Sequence, residues 1–448
     1  MENRHLFVLV HGFFGNPSHL KCMQQTFLDK WRPEDGIETF IPTNNSGLRS
    51  FDGVYLGAER CLVELEQFLI ARHKADKVKF TKISFVGYSM GGLVARALVG
   101  MLYERGFFSN VEPFIFCTFA SPHLGSKFNQ ESLRGQILNF LGSNFLGISG
   151  RDMFGHYSEV LDQLADPELR YMKALQKFPH LMLFSNAVHD RTVPFFTSFI
   201  ADRDPFQTRE YMEFVYFDTS PKSEAASSTS RGEDDPFFVD MRNSRMLAEI
   251  SSKEIVSTRD ERRMQTFLTL VIPWLLPIAL ALTSVTTVFS YVRAYQAEQA
   301  KRLDPSGRYL LRNHEAHSEG LAELAYYSID EALLEEPERS PTPSTKESQT
   351  FRIASSRKGS KPLVKPTVGD GYEGLMDSTK SRLPVDDRTK RWISSLNKLP
   401  WEKYVVRLRR MHSHAEIVNR RNKPGQGQRL LEIFVDLVED KLHEAAKA

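Results

Sequence analysis

Gly87, Ser89 and Gly91 stand at the spacing G-x-S-x-G within Ile83 to Leu98, whose sequence is ISFVGYSMGGLVARAL. A serine held between glycines where a strand turns sharply into a helix has its hydroxyl lifted out of the sheet and can act as a nucleophile. Glycines are needed because side chains beside so tight a turn would clash. Ser89 is therefore a candidate nucleophile, and the amide of Met90, at the start of the helix, is a candidate oxyanion donor.

The residues on either side of this motif fit that interpretation. Ile83, Phe85 and Val86 predict a short buried strand before it. After it, Leu93 begins a run of apolar residues that recur every fourth position, which predicts an apolar helix face. A glycine-rich turn with an incidental serine is the alternative, and the strand and helix on its two sides favour the nucleophile.

A second oxyanion donor is expected from the loop after the first strand, where the sequence reads His11-Gly12-Phe13-Phe14-Gly15. The main-chain amide of Phe13 is the candidate, and a simple glycine turn is the alternative. His11 precedes the nucleophile in the chain, so we interpret it as structural rather than as the base.

An activated serine also needs an orienting acid, and Asp190 is the candidate. It follows a predicted strand that ends at Val188, at the edge of the sheet where α/β proteins place functional groups. Asp190 capping the next turn is the alternative. Asp202 and Asp204 lie farther from the strand end, and His189 points away from its neighbour Asp190.

The base is expected after the acid, since chains of this type run in the order Ser, Asp, His. His412 and His414 both follow the late predicted strand YVVRL, and the residues alone leave the choice between them open.

Five short blocks of the sequence together resemble a known family. They are VLVHGFFGN, FVGYSMGGLVAR, FASPHLG, NAVHDRTVPF and the late HSHAEIVNRR, and they are similar to the fungal serine esterases that include lipid-droplet phospholipases and monoacylglycerol lipases. The resemblance implies an α/β-hydrolase fold and carboxylic ester hydrolysis on lipids. It marks Ser89 as the nucleophile, Asp190 as the acid and His414 as the base. Where the family usually has Gly-His-Ser-Leu-Gly, this chain has Gly-Tyr-Ser-Met-Gly. This departure keeps the sharp turn from strand to helix at Ser89, which we call the elbow, and it bears on the acyl pocket.

These residues must be positioned by a regular fold. Strand-like and helix-like segments alternate up to about residue 201, which predicts an α/β-hydrolase-like, mostly parallel sheet with helices on both faces. We predict a core with nucleophile and acid over 1–262 and a hydrophobic membrane-associated segment over 263–296. A mostly disordered insert follows over 297–390, where Ser, Pro, Lys, Glu and Gly dominate. Residues 391–448 are expected to complete the core and to supply the histidine.

The segment Phe267 to Val292 holds no charged residue over 26 positions. As one helix it would reach roughly 39 Å, enough to cross a bilayer core of about 30 Å. A single crossing would, however, separate Ser89 and Asp190 from His414. Pro273 and Pro277 disfavour a straight helix, so we expect a helical hairpin or an interfacial helix that contacts the membrane from one side. A buried core helix is the alternative.

Composition narrows the remaining possibilities. The formal net charge of +2 gives no reason to expect nucleic acid as a partner, and the three cysteines predict reduced, structural thiols. No ligand cluster with metal spacing is present in the sequence, so neither a metal nor an organic cofactor is expected. The first apolar run is too short for a secretory signal. The expected partner is a lipid substrate, and the expected location is a lipid droplet or the cytosolic face of the endoplasmic reticulum membrane.

Two other functions remain open at this stage. The chain could be a catalytically inactive α/β-hydrolase scaffold that tethers partners to a membrane or lipid droplet, or an enzyme of soluble esters or peptides with the hydrophobic segment as an anchor. The complete set of serine, aspartate and late histidine argues against the scaffold.

Overall fold

The computed structural model describes residues 2–126, 133–155, 158–206, 212–217, 219, 237–246, 281, 283–302, 352–353, 364, 383, 385–408 and 412–447. The strands of this part of the chain are β1 (Glu2–Val10), β2 (Ile37–Phe40), β3 (Val78–Tyr88), β4 (Glu112–Phe119), β5 (His180–Asn186), β6 (Met212–Tyr216), β7 (Phe238–Met246), β8 (Arg352–Ile353) and β9 (Trp401–Val406).

Its helices are α1 (Lys21–Lys30), α2 (Val54–Asp76), α3 (Met90–Glu104), α4 (Leu133–Phe145), α5 (Gly147–Phe154), α6 (Glu159–Ala165), α7 (Arg170–Leu175), α8 (Phe195–Phe199), α9 (residues 283–302), α10 (Asp387–Leu396), α11 (Ser413–Glu416) and α12 (Gln426–Lys447).

Within these ranges the strands form a single sheet in the order β2-β1-β3-β4-β5-β9-β7-β6-β8. The strands from β2 to β9 in that order run parallel, whereas β7 pairs antiparallel with both β9 and β6. Parallel strands need helical crossovers, which cover both faces of the sheet. The predicted α/β fold with a mostly parallel sheet is confirmed.

The sheet separates two hydrophobic cores because alternate side chains of a strand point to opposite faces. In β1, Leu6, Val8 and Val10 face one core, whereas Phe7 and Leu9 face the other. The first core is closed mainly by α2, α3, α6 and α7, and the second by α1 and α12. Helices therefore lie on both faces of the sheet.

The C-terminal part of the chain enters the middle of the sheet. β9 pairs parallel with β5 along its whole length, from Leu181 opposite Trp401 to Asn186 opposite Val406. The loops that follow β5 and β9 consequently leave the sheet side by side, at its carboxyl edge. This pairing brings the late histidines to the loop that contains Asp190.

Much of the predicted hydrophobic segment and most of the predicted disordered insert lie outside the described residues. Of Phe267 to Val292, the structure describes residue 281 and residues 283–292, which are helical. Among the helices that can be described, none has both the length and the apolar character needed to cross a membrane. The domain boundaries stay a prediction.

Candidate active site

Ser89 lies at the turn between β3 and α3 in a strained conformation, with φ 54° and ψ −131°. Non-glycine residues rarely adopt such angles, and they concentrate at functional sites. Steric limits explain the glycines beside it. A Cβ at Gly87 would lie 2.4 Å from Gly92 Cα, and one at Gly91 would lie 2.2 Å from the Val10 carbonyl oxygen. The sequence forms this elbow because only hydrogen fits at those two positions.

The structure brings together the three residues that the sequence analysis singled out. Ser89 Oγ lies 3.0 Å from His414 Nε2, and His414 Nδ1 lies 2.8 Å from Asp190 Oδ2. In this arrangement, Nδ1–H donates to the carboxylate, and Nε2 is free to accept the serine proton. The carboxyl side chain of Asp190 is 2% exposed, whereas the His414 side chain is 19% exposed.

A ring of hydrogen bonds holds the Asp190 carboxylate. Its Oδ1 accepts from the amides of Thr192 and Val193 and from the Thr192 hydroxyl, and its Oδ2 accepts from Asn186 Nδ2 as well as from His414. Burial alone would raise the pKa of Asp190, but His414 and these donors outweigh it and hold the pKa below its ordinary value. The carboxylate is therefore ionised and oriented toward His414.

His414 belongs to α11, which is fastened to both neighbouring elements. Ser413 Oγ donates to the Val188 carbonyl, on the loop after β5. Tyr88 Oη donates to the His414 carbonyl, and the two rings lie 5.2 Å apart. His412 is the residue before α11, and its carbonyl accepts from the Ala415 and Glu416 amides. The geometry thus assigns the hydrogen bond with Ser89 to His414.

The two candidate oxyanion donors flank Ser89. Met90 is the first residue of α3, so its amide has no acceptor within the helix. On the other side, Gly12 is so close that a Cβ there would lie 2.7 Å from Ser89 Cβ and 3.2 Å from Ser89 Oγ. Phe13 follows Gly12 directly, and its ring packs against that of Phe51, with the ring centroids 4.5 Å apart and the planes tilted by 48°. The part that the Phe13 and Met90 amides play stays a prediction.

The other candidates from the sequence are held elsewhere. His11 is fully buried, lies 3.2 Å from the Gly12 carbonyl oxygen through Nδ1 and 3.3 Å from Ser46 Oγ through Nε2, and burial lowers its pKa to about 4. Asp202 lies beside Arg203, and Asp204 accepts from the Phe206 amide. His189 has a left-handed backbone, with φ 63°.

Two residues that support the site, Tyr88 and Asn186, were not predicted from the sequence. Tyr88 was noted only for its bearing on the acyl pocket, yet its hydroxyl contacts the loop of the predicted base. Asn186, at the end of β5, donates to Asp190. The position of Asn186 four residues before the acid is a signal that could have been used, whereas the partner of Tyr88 is 326 residues away and leaves no local trace.

The cysteines and the possible metal-binding groups were also compared with the prediction. Cys22, Cys61 and Cys117 are buried free thiols. Within the described ranges, no group of three or more His, Cys, Asp or Glu side chains could hold a metal ion.

Comparison with known families adds to this geometry. Residues 1–201 match the family model described as "Putative serine esterase (DUF676)". Residues 1–201 are thus similar to the members of that family. The matched region includes Ser89 and Asp190 and ends before the tail that contains His414. The predicted resemblance to serine esterases is confirmed.

The chain is also similar to two yeast proteins. "Putative lipase C4A8.10" of Schizosaccharomyces pombe is 26% identical over 215 residues, which cover 44% of this chain and 26% of that protein. "Putative lipase ROG1" of Saccharomyces cerevisiae is 27% identical over 248 residues, which cover 53% of this chain and 34% of that protein. This chain therefore spans only about a third or less of the length of these relatives.

Among solved structures, carboxyl esterase 2 from the mycorrhizal fungus Tuber melanosporum resembles part of the chain. The similar region covers 40% of this chain and 58% of that one, at 17% sequence identity and a TM-score of 0.28. The α/β-hydrolase type of the fold itself follows from the strand order, the parallel pairing and the elbow at Ser89.

Proposed function

We propose that this protein is a serine-dependent carboxylic ester hydrolase that acts on acylglycerols or phospholipids through an acyl-enzyme. The observation that supports the mechanism most strongly is the pair of hydrogen bonds from Ser89 to His414 and from His414 to Asp190. Three polar groups from distant parts of the chain meet in this order, and the serine among them has a strained backbone. An acyl-transfer site needs these features.

In the first half of the proposed reaction, His414 Nε2 accepts the Ser89 proton while Ser89 Oγ attacks the ester carbonyl carbon. The tetrahedral oxyanion is stabilised by the Met90 and Phe13 amides, an effect worth about 3 to 4 kcal/mol per donor in comparable sites. When the intermediate collapses, His414 gives its proton to the leaving alcohol, and the acyl group stays on Ser89. Asp190 keeps Nδ1 protonated and stabilises the charged imidazole.

In the second half, water takes the place of the alcohol. His414 accepts a proton from the water, the resulting oxygen attacks the acyl carbon, and a second oxyanion forms at the same two amides. Collapse of this intermediate breaks the bond to Ser89 Oγ, which regains the proton from His414, and the fatty acid leaves. The same three side chains serve both halves, so no metal or cofactor enters the proposal.

The lipid part of the proposal is supported by two observations. The yeast relatives are named as putative lipases. The chain also contains the charge-free segment Phe267 to Val292. We include in the proposal a location on a lipid droplet or the cytosolic face of the endoplasmic reticulum membrane, where such substrates reside. Because Ser89 and His414 meet, the chain before and after that segment must lie on the same side of any membrane.

The test combines a covalent probe with a panel of substrates. A fluorophosphonate should label the wild-type protein and fail to label Ser89→Ala. The protein should release fatty acid from monoacylglycerol, diacylglycerol or phospholipid presented as emulsions, and Ser89→Ala should not. Ser109→Ala, a change at an exposed serine far from the elbow, is the matched control and should behave like the wild type. Absence of labelling in a folded wild-type protein would favour the inactive scaffold, and hydrolysis restricted to dispersed short-chain esters would remove lipids from the proposal.

A further inference from the structure

Helix α9 turns its polar side toward the protein. Thr283, Thr286 and Ser290 are buried, and the hydroxyls of Thr286 and Ser290 donate to main-chain carbonyls. Ser290 Oγ donates to the Phe51 carbonyl at 2.7 Å, and Thr286 Oγ1 donates to the Thr283 carbonyl. From the other direction, the Gly147 amide donates to Thr287 Oγ1. Hydroxyl groups of α9 thus take part in its contact with the domain.

The outward side of α9 is apolar. Val288 is 63% exposed, Phe289 57% and Tyr295 67%, and they share one face of the helix with two further exposed residues, Val285 and Val292. Their spacing of three or four positions places them in one stripe along the helix. We call these five residues the apolar stripe.

This polarity is the reverse of what a helix on a water-soluble domain shows. Such a helix buries its apolar face and exposes its polar face. A helix with hydroxyls inward and valine and phenylalanine outward is stable when the outer medium is itself apolar, because contact with that medium removes the stripe from water. A contiguous exposed apolar patch of this kind marks an interaction site.

The charges near the stripe are neutralised within the protein. Arg293 pairs with Asp52, whose carboxylate is fully buried and also pairs with Arg60. Lys301 pairs with Glu59 in α2. These pairs hold α9 on the domain from one end, and they leave the stripe without a charge of either sign among its five members. A neutral lipid surface therefore suits it as well as an anionic one.

A short series of contacts connects α9 to the loop after β1, which contains the predicted oxyanion donor Phe13. The carbonyl of Phe51 accepts the hydrogen bond from Ser290, and its ring packs against that of Phe13 with 4.5 Å between the ring centroids. The neighbouring Ser50 accepts a hydrogen bond from the Phe14 amide through its Oγ at 2.7 Å. The buried side of α9, opposite the stripe, is therefore linked through Phe51 to the segment that contains Gly12 and Phe13.

The chain that leads into α9 favours one occupant. Residues 267–280, which precede it in sequence, contain no charged residue and are rich in leucine, isoleucine, valine and proline. A second protein molecule would have to satisfy that long run as well as the stripe, whereas a lipid surface suits both. We propose that the apolar stripe of α9 is a lipid-contact surface that seats the protein on a phospholipid layer, with zwitterionic phospholipid sufficient for binding. The inference rests on the proposed function in one respect only, namely that the bound lipid layer also contains the substrate.

The first test is flotation of the full chain with phosphatidylcholine vesicles. The double variant V288D/F289D should reduce the bound fraction at equal lipid so that the partition coefficient falls about tenfold or more. The matched control is L28D/I70D, which makes the same change at two exposed apolar residues of α1 and α2 and should bind like the wild type. Equal binding of wild type and V288D/F289D would overturn the proposal, and so would an equal loss in both double variants. Concentration-dependent self-association of the wild type that V288D/F289D abolishes without affecting flotation would assign the stripe to a second copy instead.

A second measurement avoids the risk that two aspartates unfold the helix. The native cysteines are buried, so a cysteine at Phe289 can be labelled selectively with an environment-sensitive nitrobenzoxadiazole dye. On addition of the same vesicles, the dye at position 289 should brighten and shift to shorter wavelength, whereas the dye on Leu28→Cys should not change. An unchanged signal at position 289 in protein that floats would mean that another part of the chain binds lipid.

Both tests are independent of catalysis. They can be carried out in a Ser89→Ala background, so failure of the stripe to bind vesicles would leave the proposed hydrolase intact. Conversely, a protein that binds vesicles through the stripe but hydrolyses no ester would retain the surface and lose the proposed function.

Discussion

Tyr88 Oη donates a hydrogen bond of 2.9 Å to the main-chain carbonyl of His414, 326 residues further along the chain. Tyr88 directly precedes Ser89, so this bond joins the strained elbow to the loop that presents the predicted base. The Tyr88 side chain is almost fully buried, and its ring lies 5.2 Å from the imidazole ring. The nucleophile and the base are thereby set at a fixed distance by a residue that takes no proton itself.

Tyr88→Phe removes this hydrogen bond and keeps the ring. Because a single hydrogen bond contributes about 0.5 to 1.5 kcal/mol, kcat should fall about 2- to 10-fold with little change in KM. The rate of fluorophosphonate labelling should fall in parallel. Tyr55→Phe is the control, since it removes a phenol hydrogen bond to Gln163 away from the site and should leave kcat unchanged. A lower melting temperature with wild-type kcat would limit Tyr88 to a structural role.

Ser89→Ala and His414→Ala should each abolish ester hydrolysis, with losses on the order of 10⁴-fold or more, because the two residues act as one unit. For the same reason the double variant should be no worse than either single variant. His412→Ala should retain most of the activity, since it is His414 that is hydrogen-bonded to Ser89. Initial rates on a soluble ester are measured for all four variants, and circular dichroism verifies that they are folded. An inactive His412→Ala beside an active His414→Ala would refute the assignment of the base.

Gly12→Ala should inactivate the protein through steric conflict. The added methyl group would lie 2.7 Å from Ser89 Cβ and 3.0 Å from the Tyr88 carbonyl oxygen, so the serine or the loop must move. We expect slow fluorophosphonate labelling and a loss of kcat of at least about tenfold. Gly106→Ala provides the contrast, because that glycine has φ 70° and open space around it. It should lower the free energy of unfolding by about 1 kcal/mol without affecting kcat.

The stability of the fold should depend on pH through buried histidines. Burial lowers the pKa of His5 to about 3 and that of His11 to about 4. Below about pH 6.5 the unfolded chain binds protons at these residues while the folded chain does not, so the free energy of unfolding falls as the pH is lowered from about 6.5 toward 4. Each such histidine adds up to about 1.4 kcal/mol per pH unit in that window.

Urea unfolding between pH 4.5 and 7 measures this slope. His5→Gln should make it smaller, since one proton-binding site of the unfolded chain is lost. His443→Gln, the same substitution at an exposed position of α12, is the matched control for replacement of a histidine. A His5→Gln protein with the slope of the wild type would show that His5 takes up its proton in the folded state as well.

The elbow is the part of the site that could be predicted from the sequence with little else. Gly87, Ser89 and Gly91 lie within five residues, and the clashes that exclude other side chains act over the same short stretch. The apolar runs on either side predict a strand and a helix by their periods. Local steric limits and periodicity are properties of neighbouring residues, so they can be read without the rest of the chain.

The meeting of Asp190 with His414 depends on tertiary structure. The two residues are 224 positions apart, and the residues alone left His412 and His414 as equal choices until the family resemblance favoured one. The decision came from β9 pairing with β5, in a register that sets Val406 opposite Asn186, which directs both following loops to the same place. No local property of either loop contains that pairing, because strand neighbours are chosen by the packing of the whole sheet.

The orientation of α9 was likewise decided only by folding. The sequence by itself determined that Phe267 to Val292, which includes the first half of α9, is free of charge and can contact an apolar medium. Valines and threonines alternate in this part of the sequence, so either group could face the domain. The main-chain groups of Phe51 and Gly147, together with the buried Asp52 that pairs with Arg293, attract the hydroxyl side and the arginine. Those partners lie in distant parts of the sequence, and unmet hydrogen bonds in a buried contact cost more than exposure of a few apolar side chains, so the hydroxyls turn inward and the stripe faces outward.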